Sequence, residues 1–466
     1  MTQSEGARPA WAAGLCPVTS QEGTERHARS EPRLSVAVLV DLEWSDKAGG
    51  HVKCWERVAR AAATGQTPVD LTLHVQGRQY RRIDLGPSVR VVTHRPLLSS
   101  AGFGFLADAP DQSDLAPLHP RLLADLAQCD VVHTTDAYFA FAKTARLAAA
   151  LFGKALVNSL HTDTPAYTRI YAEKAIRRLF GSGRCSDLLV DRLRLPEHAS
   201  RKMAKRLSRH LRRCDGILLS ERDRWSGARA EPGCAALGIM RRGIDKALYH
   251  PEKRDRARLE QRFGIPQDRP VVAFVGRIDQ GKQVMTLIEA VRHLVAKGLD
   301  LHLLLIGEGP DRETARCLLG PRVTAPGHVA EDALPWLYAS SDLFAFPSRV
   351  EVSPNVVLEA KASGLAPVVA PEGGGHLIRT AGVDGHIESR LEARAWADTI
   401  EALCCQPALR AAIGRAARED IERNRPSWSD VLREDLLPIW AAVATKTEAI
   451  GQLYAQGTDP HTHPAS

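Results

Sequence analysis

The sequence predicts an α/β protein made of two doubly wound domains. Short apolar, β-rich runs alternate with helical patterns from Leu34 onward, and after a break near residue 240 the alternation starts again at Pro270. Such alternation is what a parallel sheet requires, because each parallel pair needs a crossover. The length of 466 residues also exceeds one ordinary domain of about 100–200 residues.

Residues 1–32 are polar and small, lack the apolar run of a signal peptide, and read as a disordered tail. A first domain is expected over residues 33–240. Leu34–Val40 reads as its buried first strand, Gly49-Gly50 as a loop and Val52–Ala63 as a helix. Asp70–Val75, Val89–Thr93, Asp130–Thr134, Lys154–Leu160 and Asp215–Ser220 are the further strands. Ser226–Leu237 is small, polar and turn-forming, as the approach to a linker would be.

The second domain is expected over residues 241–425. Val271–Val275, Leu301–Ile306, Leu343–Phe346 and Pro367–Ala370 read as strands. Val284–Ala296, Asp311–Leu319, Asp332–Ala339 and Asn355–Ser363 read as helices. Residues 426–448 are expected to form a helix packing back on the first domain, and 449–466 a tail. The arrangement that fits best is two Rossmann-like domains facing each other across a cleft, with ligand outside the carboxyl ends of the strands.

Apolar residues make up 44% and charged residues 25% of the chain, as in a globular protein. The net charge of +7 and pI near 9.0 suit anionic partners, although an Arg-rich composition can serve solubility alone. Cys16, Cys54, Cys129, Cys185, Cys214, Cys234, Cys317, Cys404 and Cys405 are scattered without a C-x-x-C pair, which points to reduced thiols in the cytoplasm and to no metal site. No run reaches the roughly 18 apolar residues of a membrane span. Membrane contact is therefore expected to be peripheral at most. Its candidate is the basic stretch Arg201–Arg213, where Met203, Leu207 and Leu211 share a helical face; a solvated helix packing that face on its own domain is the plainer alternative. Nucleic acid is not expected as a partner, since no zinc-finger spacing or aromatic stripe accompanies the basic charge.

Three segments carry chemistry. Val271–Val275 runs into Gly276-Arg277, with Lys282 just before a helix. A glycine at a strand-to-helix loop lets phosphate approach backbone N–H groups, and the two cations suit a diphosphate. Taken alone, two solvated basic residues beside a turn would look the same. The loop has neither G-x-G-x-x-G nor the P-loop pattern. Leu303–Ile306 runs into Gly307-Glu308-Gly309-Pro310, a second glycine turn that permits close backbone approach.

The third segment, Pro347–Ala360, is the most specific. Ser353 reads as an N-cap and Pro354 as the first helical turn, so that Asn355 and Val356 offer free N–H groups to an anion. Glu359 lies one turn inside the helix, where a carboxylate can accept from two vicinal hydroxyls, as on a ribose. Glu351, ahead of the helix, is placed for hydroxyls of a transferred sugar. A capped helix with a salt-bridged glutamate is the plainer alternative.

Glu351 to Glu359 resembles the E-x7-E signature of retaining glycosyltransferases of the GT-B architecture, glycosyltransferase family 4 (glycosyl transferases group 1). Other segments match in order. Gly49-Gly50 resembles the family's N-terminal glycine loop near donor phosphates and acceptor. His161, in Ser159–Pro165, resembles the histidine near the reaction centre. Arg242-Gly243-Ile244-Asp245 resembles the motif entering the second domain, and Gly276-Arg277 with Lys282 the diphosphate clamp. Gly307–Pro310 and Gly327-His328-Val329 resemble loops lining the nucleotide pocket. The chain has Val352-Ser353-Pro354 where many members have Gly-Phe-Gly, and Arg242 where Asn is frequent.

The resemblance implies transfer of a hexosyl group from a UDP- or GDP-sugar to a lipid or glycan acceptor, with retention of configuration. His161, Glu351, Arg277 and Lys282 would be catalytic. Gly49, Gly50, Gly276, Gly307, Gly309, His328, Asn355, Val356 and Glu359 would hold the donor. With no D-x-D pair to hold a divalent metal, Arg277, Lys282 and the helix N-terminus are expected to stabilise the leaving diphosphate, with no cofactor beyond the nucleotide-sugar co-substrate. A nucleotide-sugar epimerase and a non-catalytic nucleotide-binding protein are the competing readings.

Overall fold

The structure, a computed structural model, describes residues 33–445 apart from 46–47, 66, 101–112, 182 and 222–235. Both expected tails and most of the turn-forming stretch 226–237 lie outside the described residues. The chain divides into two compact units: one runs to Arg241 and resumes at Ser429, and the other is Arg242–Trp428.

The first unit is built on an eight-stranded sheet. Its strands are β1 (Leu34–Glu43), β2 (Val69–Gln76), β3 (Arg81–Gly86), β4 (Val89–His94), β5 (Val131–Thr134), β6 (Ala155–Ser159), β7 (Gly216–Ser220) and β8 (Ala236–Met240), in the order β3-β4-β2-β1-β5-β6-β7-β8. Every pair is parallel except β3 with β4. Strands β5, β6 and β7 are wholly buried, which is why they read as continuous apolar runs. The sequence reading missed β3 and β8. β3 (RRIDLG) is a charged edge strand, as edges that avoid further pairing are. β8 begins at Ala236, so the turn-forming stretch read over Ser226–Leu237 ends earlier than expected.

The chain returns to this unit after Ser429. Arg241 Nη2 reaches Asp435 Oδ1 at 2.7 Å and Glu434 Oε2 at 2.8 Å, and Trp440, in the helical stretch 437–445, is fully buried.

The second unit has a six-stranded parallel sheet of β9 (Val271–Val275), β10 (His302–Ile306), β11 (Val323–Gly327), β12 (Leu343–Phe346), β13 (Ala366–Val369) and β14 (His386–Ile387). Its order is β11-β10-β9-β12-β13-β14. The winding direction reverses between β9 and β12, so the crevice outside their carboxyl ends is where a doubly wound sheet receives ligand. In the first unit the corresponding reversal lies between β1 and β5.

In the second unit, Lys361 of the helix Asn355–Ala362 is fully buried. Its ammonium donates to Asp384 Oδ2 at 2.7 Å, Asp420 Oδ2 at 2.5 Å and the Leu377 carbonyl at 2.8 Å. All three donors of the ammonium are satisfied, as a buried charge requires.

No helix among the described residues is long and apolar enough to cross a membrane. In the helix Leu195–Leu211, Leu207 and Leu211 are buried in the core and Met203 packs against it. The apolar face weighed for a membrane is therefore turned onto its own domain. Arg201, Lys202, Lys205, Arg206, Arg209, Arg212 and Arg213 remain exposed.

Candidate functional site

The second unit gathers three loops at the carboxyl ends of β9, β10 and β11. The Gly276 amide donates to the Ile306 carbonyl at 3.0 Å, Ile278 N to Glu308 O at 2.8 Å, and Gly307 N to Gly327 O at 3.0 Å. Gly307 has φ +141° and Gly309 φ +158°. A Cβ on Gly307 would fall 1.9 Å from the Gly276 carbonyl oxygen, and one on Gly309 2.1 Å from that of Ile278. The close approach expected of these glycines is thus realised first between neighbouring loops. Glu308 Oε1 accepts from the His328 amide at 3.1 Å, which ties His328 to the same group while its side chain stays exposed.

Lys282 ends a short 3-10 turn, Gln280–Lys282, capped by Asp279, whose Oδ1 accepts from the Lys282 amide at 3.0 Å. The next residue, Gln283, has φ +54° and opens the helix Val284–Ala296. A left-handed non-glycine residue stores backbone strain, and here it sits between the turn bearing Lys282 and that helix. Arg277 Nη2 lies 3.6 Å from Asp279 Oδ2, with the arginine side chain about one third exposed, at 33%.

Lys282 Nζ and Glu351 Oε1 form an ion pair, and Ser348 Oγ donates to the same oxygen at 2.7 Å. Lys282 follows β9 and Glu351 follows β12, so they meet over the reversal of the sheet. Gly373 allows this packing, because a Cβ there would lie 1.6 Å from the Ser348 carbonyl oxygen.

Beyond Glu351 the helix Asn355–Ala362 begins with Pro354 as its N-cap, and no side chain caps it. This corrects the sequence reading of Ser353 as cap: proline precedes the first helical residue, and Ser353 Oγ is buried without a hydrogen-bond partner among the described residues. Asn355, 9% exposed, has its Oδ1 in the same condition. Asn355 and Val356 occupy the first turn, whose amides have no helical acceptor. Glu359 is buried, and its Oε2 accepts from Tyr338 Oη at 3.2 Å.

In the first unit, Gly49 is the N-cap of the helix Gly50–Thr64, and a Cβ on Gly50 would meet nothing within 4 Å. His161 follows β6 and is 9% exposed. Its Nε2 lies 2.7 Å from Ser159 Oγ and accepts from Trp55 Nε1 at 3.3 Å. His51 stacks on its ring, centroids 4.5 Å apart. Ser159 Oγ also lies 2.8 Å from His133 Nε2, and burial pushes the His133 imidazole down to about 3.

The second unit thus brings together Glu351 with Lys282, and separately the loops of Gly276, Gly307, Gly309 and His328. His161, Gly49 and Gly50 belong to the first unit. Sequence reasoning missed Ser348, Tyr338, Asp279, Gln283 and the histidine cluster. Ser348, three residues before Glu351, was within reach of a local reading. The other contacts depend on tertiary pairing.

His74, His94 and Asp125 also bring one ligand atom each within 4.8 Å of one another. His74 Nδ1 and His94 Nε2 are hydrogen-bonded at 2.9 Å, Arg82 holds Asp125 Oδ1 at 3.2 Å, and burial lowers the two imidazoles to about 3 and about 2. This is a packed network with an arginine already on its carboxylate.

Two doubly wound, mainly parallel-sheet units, together with the similarity to solved structures given below, make this a Rossmann-like two-domain GT-B fold. Residues 255–420 match the family described as Glycosyl transferases group 1. The chain is 38% identical over 134 residues to the GDP-mannose-dependent alpha-mannosyltransferase of Mycolicibacterium smegmatis, covering 29% of this chain and 33% of that protein. It is 35% identical over 191 residues to the D-inositol 3-phosphate glycosyltransferase of the same organism, covering 39% of this chain and 43% of that protein. The chain thus spans less than half the length of either relative. Its fold is similar to that of the sucrose-phosphate synthase of Thermosynechococcus elongatus, with TM-score 0.63, 18% identity and coverage of 91% of this chain and 99% of that one.

Proposed function

We propose that this protein is a metal-independent glycosyltransferase that moves a hexosyl group from a UDP- or GDP-sugar to a lipid or glycan acceptor with retention of configuration. The observation that carries this reading is the meeting of Lys282 and Glu351 over the β9/β12 reversal, directly before the helix N-terminus at Asn355. One partner is a cation for a diphosphate oxygen and the other an acceptor for sugar hydroxyls. Donor binding exchanges their mutual contact for those two. Arg277 and the Asn355–Val356 amides add positive potential where the leaving nucleoside diphosphate gains charge.

Glu359 is assigned to the ribose, releasing Tyr338. Gly276, Gly307, Gly309 and His328 shape the nucleotide side. Gly49 and Gly50 give the donor phosphates and acceptor a surface without side chains. His161 orients the sugar or a phosphate oxygen; the acceptor's proton passes to the leaving phosphate on the same face, so no strong protein nucleophile is needed. The exposed cations of Arg201–Arg213 are assigned to an anionic membrane surface, bound by charge alone, and the protein to the cytoplasmic side.

Transfer from UDP- and GDP-hexoses to lipid and saccharide acceptors, followed by NMR of the anomeric proton in excess chelator, tests the reading. Retained configuration with undiminished turnover supports it. Inversion, or loss of turnover rescued by magnesium, overturns the corresponding part.

A further inference from the structure

The cluster around His161 extends further than the proposed reaction needs. Trp440 Nε1 lies 2.9 Å from His133 Nδ1, and both side chains are fully buried. An indole nitrogen only donates. His133 Nδ1 must therefore accept, and with the ring neutral its proton sits on Nε2. That Nε2–H donates to Ser159 Oγ at 2.8 Å. The serine hydroxyl, its oxygen engaged as acceptor, turns its own proton to His161 Nε2 at 2.7 Å. A second indole, Trp55, donates to the same nitrogen at 3.3 Å. Two donors converge on His161 Nε2, so this nitrogen carries the lone pair and Nδ1 carries the proton.

We propose that Trp440, His133 and Ser159 are positioning residues that hold His161 in its Nδ1–H tautomer, making it a hydrogen-bond donor toward a nucleotide-sugar oxygen and not a base. The relay ends on the segment that returns to this unit after Ser429, so that segment sets the protonation geometry of a residue 279 positions earlier. The role toward the sugar rests on the proposed transfer activity; the tautomer does not.

The test uses the full chain labelled with 15N-histidine, with long-range 1H–15N correlation spectra assigned through His133→Gln and His161→Gln. The expected wild-type pattern at neutral pH is a protonated Nδ1 and bare Nε2 for His161, and the reverse for His133. Ser159→Ala removes the central hydroxyl with little change of volume and is expected to give His161 mixed tautomers. Trp440→Phe keeps an aromatic ring but removes the indole N–H, and is expected to mix the tautomers of His133. Ser159→Thr restores the hydroxyl and the wild-type spectrum. A proton on Nε2 of His161 in the wild type, or a His161 pattern unmoved by Ser159→Ala, overturns the relay.

Turnover supplies the second readout. Ser159→Ala is expected to lower kcat about tenfold while donor KM changes less than about twofold. An unchanged kcat with the spectral change present would remove the catalytic consequence and leave the tautomer standing. If no nucleotide sugar is turned over by the wild type, the transfer reading fails while the spectra still decide the relay.

Discussion

Lys282 and Glu351, 69 positions apart in sequence, are joined as an ion pair where the second sheet reverses direction. Their side chains are 14% and 12% exposed, so neither charge is left to solvent when its partner is removed. Lys282→Ala and Glu351→Ala are each expected to cost at least about tenfold in kcat/KM, or roughly 1.4 kcal/mol of transition-state stabilisation. Each single variant should also lose up to about 3 kcal/mol of stability, because the surviving charge stays largely desolvated. The double variant should be less destabilised than the sum of the singles. Near-wild-type kinetics in both singles would defeat the site assignment.

Lys361 supplies a contrast on the helix that follows Glu351. Replacing it with methionine leaves Asp384 and Asp420 facing each other in the core. A loss of about 3–5 kcal/mol is expected from chemical denaturation. Donor affinity per folded molecule should change little, because the ammonium touches none of the proposed donor ligands. Unchanged stability would show the triad is better solvated than its geometry implies.

Gln283 holds a left-handed backbone conformation next to Lys282. Gln283→Gly should stay within about 1 kcal/mol of wild type, since relief of strain offsets the added chain entropy. Gln283→Val should lose about 1–2 kcal/mol, and donor affinity with it, as the turn carrying Lys282 shifts. Equal melting of the two variants would contradict the strain argument.

Acid should weaken the first unit below about pH 6.5, where four buried histidines outweigh the opposing effect of Asp41, whose carboxyl is pushed up by burial to about 8 and adds stability as pH falls. Burial lowers His74, His133 and His210 to about 3 and His94 to about 2. In the unfolded chain these rings bind protons below about 6.5, whereas in the folded unit they stay neutral. The stability they confer is complete above about pH 6.5 and is lost as pH falls toward about 3, by at most about 1.4 kcal/mol per pH unit per ring. Denaturation followed between pH 6.5 and 5 should show a falling midpoint for signals from Trp55 and Trp440. A flat profile would mean the rings are protonated in the folded state.

The alternation of strands and helices was legible because parallel strands buried on both faces are unbroken apolar runs. The exceptions have physical reasons. β3 and the half-exposed β8 need less apolar sequence, β11 contains Pro326 and Gly327, and β14 is two residues long. The segment of Glu351 and Glu359 stood out because it is local. The ion pair with Lys282, the Tyr338 contact of Glu359 and the Trp440–His133 contact were not legible, since each joins elements that only the sheet order brings together. Ser353 shows the opposite limit: a good capping residue lost its position to a proline one residue later.

The central claim is that Glu351 reads the sugar and Lys282 the diphosphate of one donor. Titration calorimetry of wild type, Glu351→Ala and Lys282→Ala with UDP- and GDP-hexoses and with the free nucleoside diphosphates tests it most directly. The predicted result is that Lys282→Ala weakens both ligand types, whereas Glu351→Ala weakens the nucleotide sugar and spares the free nucleotide. Absence of binding to the wild type, or equal weakening of both ligands by Glu351→Ala, would contradict it.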